Sequence, residues 1–170
     1  MGDAPRLHSD QSGVVLAVLD DCYLTLVWMR DNAARLGIRP DQLAVAGASE
    51  ARGLTAALTL YARDKGEIPV AFELPFCPMI HDRCTTDFAG LAPAFAFVGS
   101  IEPFWDETID YVDKLHAARA PVEFTVFEGC FHGVDDLVPK ARVSMEATRY
   151  RNRWFGHSIQ NCFTPQPVSS

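Results

Sequence analysis

The sequence predicts an α/β fold of about four parallel strands flanked by helices, and two observations carry that prediction. Helical and strand-like patterns alternate along the chain, which is the signature of a sheet wound by right-handed crossovers. The strand-like runs are also short and almost wholly apolar, as strands covered on both faces of a parallel sheet have to be.

The first helix is expected over Leu16 to Leu36, where Leu16, Leu19, Tyr23, Leu26, Met29, Ala33 and Leu36 recur at steps of three and four. Gly37 supplies its stop, and Pro40 with Asp41 a turn. Leu43 to Ala46 reads as a buried strand, with Ser49 soon after it, and Leu54 to Ala62 as a helix ending near Gly66. Pro69 opens a strand over Val70 to Phe76, and Cys77 to Pro93 reads as a loop punctuated by Pro78, Asp82, Asp87 and Gly90. Ala94 to Val98 is a third strand, Phe104 to Ala118 a helix, and Val122 to Phe127 a fourth strand ended by Gly129. An arginine-rich helix is expected over Leu137 to Phe155, followed by a frayed tail from Thr164 with two prolines. The expected organisation is a polar lead over 1–13, one domain over 14–157 and a flexible tail over 158–170.

A chain of 170 residues can bury a core of its own, and its 48% hydrophobic content is ordinary for a globular domain. The net charge of −7 speaks against a nucleic-acid partner, because phosphate binding needs a basic face. Cys22, Cys77, Cys84, Cys130 and Cys162 are odd in number and widely spaced, with no Cys-x-x-Cys. Neither a disulfide framework nor a zinc site follows from them, and His81, Asp82 and Cys84 have no standard zinc spacing. No apolar run reaches membrane-spanning length, and the start holds no signal-peptide core. A reduced, cytoplasmic setting is expected.

Open parallel sheets gather ligands beyond the carboxyl ends of their strands. Ser49, Glu102 and His132 each stand after a strand, in that chain order. Serine is a poor nucleophile until a histidine accepts its proton, and a carboxylate holds that histidine in the required tautomer. Ser49 lies in Gly47-Ala48-Ser49-Glu50-Ala51, one methyl group away from the Gly-x-Ser-x-Gly nucleophile elbow. It also suits the N-cap of the next helix. His132, in Cys130-Phe131-His132-Gly133, is the candidate base. Cys130 is too near it in sequence to be its catalytic partner. Glu102 is the expected acid, with Asp106 as its alternative; Asp106 equally suits a helix N-terminus, where the dipole favours negative charge. Arg142, Arg149, Arg151 and Arg153 read as a solvated helix face rather than an anion site. No phosphate-cradling glycine loop occurs.

Several stretches together carry a family resemblance. They are Leu19-Asp20-Asp21-Cys22-Tyr23, Leu36-Gly37-Ile38-Arg39-Pro40-Asp41, Ala44-Val45-Ala46-Gly47-Ala48-Ser49, Phe97-Val98-Gly99-Ser100 with Pro103-Phe104, and Phe131-His132-Gly133. From about Leu19 to Val138 the chain resembles the hormone-sensitive-lipase-like esterases. The resemblance implies a partial α/β-hydrolase fold, Ser49 as nucleophile, His132 as base, and Glu102 where that family usually has aspartate. It also implies small acyl esters as substrates and no cofactor. Glu50 and Arg52 stand where the family has small residues. The family's upstream strands and His-Gly-Gly-Gly loop have no counterpart here, which leaves the backbone N–H of Glu50 as the expected oxyanion donor. The strand at Leu43 to Ala46 then becomes an edge, and an apolar edge invites a homodimer or a partner protein. Two other readings of the same pocket are a binding domain without turnover and a lyase or dehydratase in which His132 acts as a base.

Overall fold

The computed structural model of the chain describes residues 8–47, 51–75 and 87–167. Its elements run α1 His8–Asp31, α2 Ala33–Leu36, a 3₁₀ turn Pro40–Gln42, β1 Ala44–Gly47, α3 Ala51–Lys65, β2 Phe72–Pro75 and β3 Ala94–Gly99. They continue with α4 Trp105–Ala117, β4 Val122–Phe127, α5 Val134–Leu137 and α6 Arg142–Asn161. The four strands form one parallel sheet in the order β1-β2-β3-β4, as the apolar runs predict.

Strand chemistry decides position in the sheet. β3 (Ala-Phe-Ala-Phe-Val-Gly) is buried along its whole length and lies inside, paired to β4 over six residues from Ala94↔Val122 to Gly99↔Phe127. Alternation sorts its side chains between two layers. Phe95 and Phe97 join Phe72, Leu74 and Phe127 against α6, where Trp154 stacks on Phe95 at 5.1 Å between ring centroids. On the other face Ala94 packs with Tyr111 and Leu115 of α4 and with Ala56 and Leu60 of α3. Leu19, Tyr23 and Leu26 of α1 pack with Val45 and with Leu58 and Ala62 of α3 on that same face.

Among the described residues β1 is a sheet edge, as expected, and its burial alternates: Val45 and Gly47 are buried, Ala44 and Ala46 exposed. The exposed pair is in register with Phe72 and Leu74, so the layer formed by α6 stops short of β1.

Several element boundaries differ from the sequence expectation: α1 starts at His8, inside the expected polar lead over 1–13, and α6 extends to Asn161, into the tail expected over 158–170. The first helix breaks at Asn32, whose amide side chain donates to the Trp28 carbonyl and competes with helical continuation. The strand expected over Val70 to Phe76 begins as β2 at Phe72 and is described to Pro75, Phe76 lying outside the described residues. The helix expected over Leu137 to Phe155 is two helices. Pro139 lacks an N–H and pushes Val138 out of the helical region (φ −130°, ψ 60°), so α5 ends there and α6 starts at Arg142. α6 runs on to Asn161, and beyond it the Thr164 N–H donates to the Asp41 carbonyl at 2.8 Å. Among the described residues no helix is long and apolar enough to cross a membrane.

Away from the carboxyl ends of the strands, the fold buries a carboxyl group. Glu73 of β2 is wholly buried and points to the α3–α4 layer, where the Tyr111 hydroxyl donates to its Oε1 at 2.5 Å. Desolvation pushes its carboxyl up to about 7, and raises the Tyr111 hydroxyl well above its ordinary value.

Candidate active site

Glu102 and His132 come from the loops that leave β3 and β4 at the carboxyl end of the sheet. Thirty positions apart in sequence, they meet: His132 Nδ1 lies 3.0 Å from Glu102 Oε2. The Glu102 side chain is 1% exposed and that of His132 27%, so the acid is sheathed while the ring reaches the surface. An ionised carboxylate only accepts, so this contact puts the proton on Nδ1 and leaves Nε2 as the basic nitrogen. Phe104 fixes the ring from the side, edge to face at 5.0 Å between centroids.

Four backbone features bring the two loops to that distance. The Ser100 N–H donates to the Phe127 carbonyl (3.1 Å), the Ile101 N–H to the Cys130 carbonyl (3.1 Å), and the Gly129 N–H to Ser100 Oγ (2.8 Å). The fourth is an absence of bulk: a Cβ on Gly99 would stand 2.2 Å from the Cys130 carbonyl oxygen. Gly129 has φ +69°, the left-handed conformation in which the chain turns out of β4.

The alternative acid does not reach this pair. Asp106 lies exposed in the first turn of α4, while Glu102 occupies the histidine's Nδ1. Cys130 is buried with its Sγ 3.7 Å from the Glu128 carbonyl, and burial pushes its thiol up, away from the reactive thiolate. Arg151 and Arg153 engage Asp135 (3.5 Å) and Glu123 (3.8 Å) at the surface of α6. Ser49 and Glu50 belong to the connection 48–50 between β1 and α3 and lie outside the described residues, as do His81, Asp82 and Cys84. Among the described residues no group of three His, Cys, Asp or Glu side chains could hold a metal ion.

A cleft of about 480 Å³ opens at the opposite end of the sheet, lined by Thr59, Pro69, Ala71, Leu91, Pro93 and Cys162 among others. It is larger than the depression under the Glu102–His132 pair, but parallel sheets do their chemistry at the other end. Gly99, Ser100 and Phe104, which hold the pair, enter the sequence reading only as part of the family resemblance, with no role of their own. The signal for Gly99-Ser100 was a glycine closing a buried strand next to a polar residue, a pattern shared by many structural turns.

The family model described as alpha/beta hydrolase fold matches residues 14–87 and 81–136. The carboxylesterase NlhH of Mycobacterium tuberculosis (strain H37Rv) is 27% identical over 177 aligned positions, covering 78% of this chain and 56% of that protein. An arylesterase of Saccharolobus solfataricus is 39% identical over 61 residues, covering 36% of this chain and 20% of its own length. Among solved structures, the esterase LipW from Mycobacterium marinum superposes with a TM-score of 0.77 at 27% identity, covering 83% of this chain and 57% of that one. A bacterial heroin esterase gives 0.74 at 29% identity, with 78% and 56% covered. The chain thus spans little more than half the length of these relatives. With its parallel sheet and the two matched stretches, the chain belongs to the alpha/beta hydrolase fold family, on the side of the hormone-sensitive-lipase-like esterases.

Proposed function

We propose that this chain is a carboxylic-ester hydrolase acting on small acyl esters through Ser49, His132 and Glu102. The observation that carries the reading is the 3.0 Å contact between His132 Nδ1 and the buried Glu102 carboxylate at the carboxyl ends of β3 and β4. In this scheme His132 Nε2 takes the Ser49 proton as Oγ attacks the ester carbonyl. The oxyanion of the tetrahedral intermediate is met by the Glu50 backbone N–H. Collapse expels the alcohol, which leaves with the proton from His132, and an acyl-enzyme remains. Water, deprotonated by His132, then attacks the acyl-enzyme and releases the carboxylic acid and Ser49. Charge supports the substrate class only broadly: a net −7 is compatible with neutral or cationic esters. No cofactor enters the scheme.

The test is hydrolysis of a short-chain nitrophenyl ester by the wild type and by Ser49→Ala. A rate that falls to background in the variant is expected; equal rates would sink the reading. The names of the relatives support ester hydrolysis as well, since they are a carboxylesterase, an arylesterase and other esterases.

A rival reading is ligand or protein binding without turnover, favoured by a family position usually held by aspartate that here is Glu102. Labelling by a fluorophosphonate probe separates the two, because only an activated Ser49 reacts. A lyase or dehydratase acting through His132 would turn over without an acyl-enzyme, which mass spectrometry of the quenched reaction detects.

We also infer a homodimer or a partner protein at the edge of the sheet. Among the described residues β1 pairs on one side only, and Ala44 and Ala46 beside that edge are exposed, so a second copy or a partner protein would cover both. A clean monomer in sedimentation at micromolar concentration would overturn this. A cytoplasmic setting fits the free thiols of Cys22, Cys130 and Cys162.

A further inference from the structure

We propose that Ser100 is a positioning residue: its side-chain oxygen ties the loop that carries the acid to the loop that carries the base. The inference rests on the catalytic reading above but concerns a residue which that reading does not use.

The geometry is a short ladder between two loops. The Ser100 N–H donates to the Phe127 carbonyl (3.1 Å), which continues the β3–β4 pairing one step past Gly99↔Phe127. The Ile101 N–H then reaches the Cys130 carbonyl (3.1 Å). Between these rungs the backbone of the base loop turns at Gly129, and its N–H faces no backbone acceptor across the gap; Ser100 Oγ supplies one at 2.8 Å. Glu102 follows two residues after Ser100, and His132 three after Gly129.

A hydrogen bond at this point therefore sets the spacing of the two loops where the side chains of Glu102 and His132 have to meet at 3.0 Å. Serine suits the position because its hydroxyl sits on a one-carbon arm. The oxygen stays within reach of the neighbouring backbone without spanning into the site. Alanine would leave the Gly129 N–H to water and release one of three ties. The other two, both backbone to backbone, would keep the fold. The expected consequence is a loosened acid–base contact in an otherwise intact protein.

The experiment reads that contact directly. A histidine that donates Nδ1–H to a carboxylate gives a far-downfield proton resonance, assigned here by its loss in His132→Gln. In Ser100→Ala the resonance is expected to broaden or move upfield, with the thermal unfolding midpoint close to the wild type. In the ester assay kcat is expected to fall about three- to ten-fold with KM within about two-fold, the scale of one partly exposed hydrogen bond. Ser100→Thr, which keeps the hydroxyl, is expected to restore both readouts. An unchanged resonance in Ser100→Ala overturns the proposal, and so does its absence from the wild type. Should Ser100→Ala fail to fold, Ser100→Cys, nearly isosteric with a weak acceptor, takes its place under the same criteria. Because the resonance needs no turnover, a wild type that fails to hydrolyse esters but responds to Ser100→Ala supports the positioning role and counts only against the catalytic reading.

Discussion

The carbonyl oxygen of Cys130 stands 2.2 Å from the point at which a Cβ on Gly99 would be placed. No other residue type fits between the end of β3 and the loop carrying His132, because the obstructing atoms are backbone and cannot rotate away. Gly99→Ala should force the two loops apart and cost roughly 1–3 kcal/mol, the usual scale of overpacking in a close-packed interior. The ester-hydrolysis rate should fall more than stability does, since Glu102 and His132 lie just beyond the displaced segments. Thermal denaturation alongside the ester assay checks both parts, and a variant with wild-type activity would show that the loops have slack.

Glu102 and Asp106 make opposite predictions. Glu102 is buried and touches the His132 ring, while Asp106 is exposed on α4. Glu102→Gln should leave the shape of the site intact but offer Nδ1 an amide that allows the wrong tautomer, for a loss on the order of 10³-fold in kcat. Asp106→Asn should stay within about two-fold. Equal losses in the two variants would mean that the acid of the triad is misassigned.

How much of this the sequence discloses depends on how local the cause is. β3, β4 and α4 are legible to within a residue or so because an apolar run or a three-four periodicity is written into contiguous residues. The split between α5 and α6 is also local, at Pro139, a signal that the expectation of one arginine-rich helix from Leu137 does not use. Glu102 and His132 are legible as candidates because each directly follows a strand. Their 3.0 Å contact is not, since it depends on the Ser100–Gly129 bond and on the bare Cα of Gly99. The pairing of Glu73 with Tyr111 is of the same kind: a charge inside an apolar strand is visible, but its partner 38 positions away is not.

That pair makes the fold pH-sensitive. The Glu73 carboxyl is raised from 4.5 to about 7 by burial. Below pH 4.5 the folded and unfolded chains both hold the proton, and Glu73 adds no pH dependence. Between 4.5 and 7 the unfolded chain releases the proton and the folded one keeps it, so stability falls as pH rises. Above 7 both are ionised and the full penalty, about 3 kcal/mol, persists. Glu73→Gln keeps an acceptor for the Tyr111 hydroxyl and does not titrate. Urea unfolding at pH 4 and pH 8 should show the variant gaining stability over the wild type by roughly that amount across the interval. A constant difference between the two proteins would mean that Glu73 is ionised inside the fold or reaches water.

Two tryptophans test where the stability resides. Trp154 is 6% exposed, stacked on Phe95 at 5.1 Å and set edge to face against Phe72 at 5.8 Å. Trp28 is 48% exposed on α1, with the Arg35 guanidinium 5.4 Å from its ring. Trp154→Ala opens a cavity where α6 packs on Phe72 of β2 and Phe95 of β3, and should cost about 3–5 kcal/mol. Trp28→Ala removes a surface contact and a cation–π pair, and should cost about 1 kcal/mol or less. In thermal melts the first variant should unfold roughly 10 °C or more below the wild type, and the second within a few degrees of it. The reverse order would mean that the exposed ring on α1 is covered in solution, by a second copy of the chain or by another partner, and that this interface contributes more than the packing beneath α6.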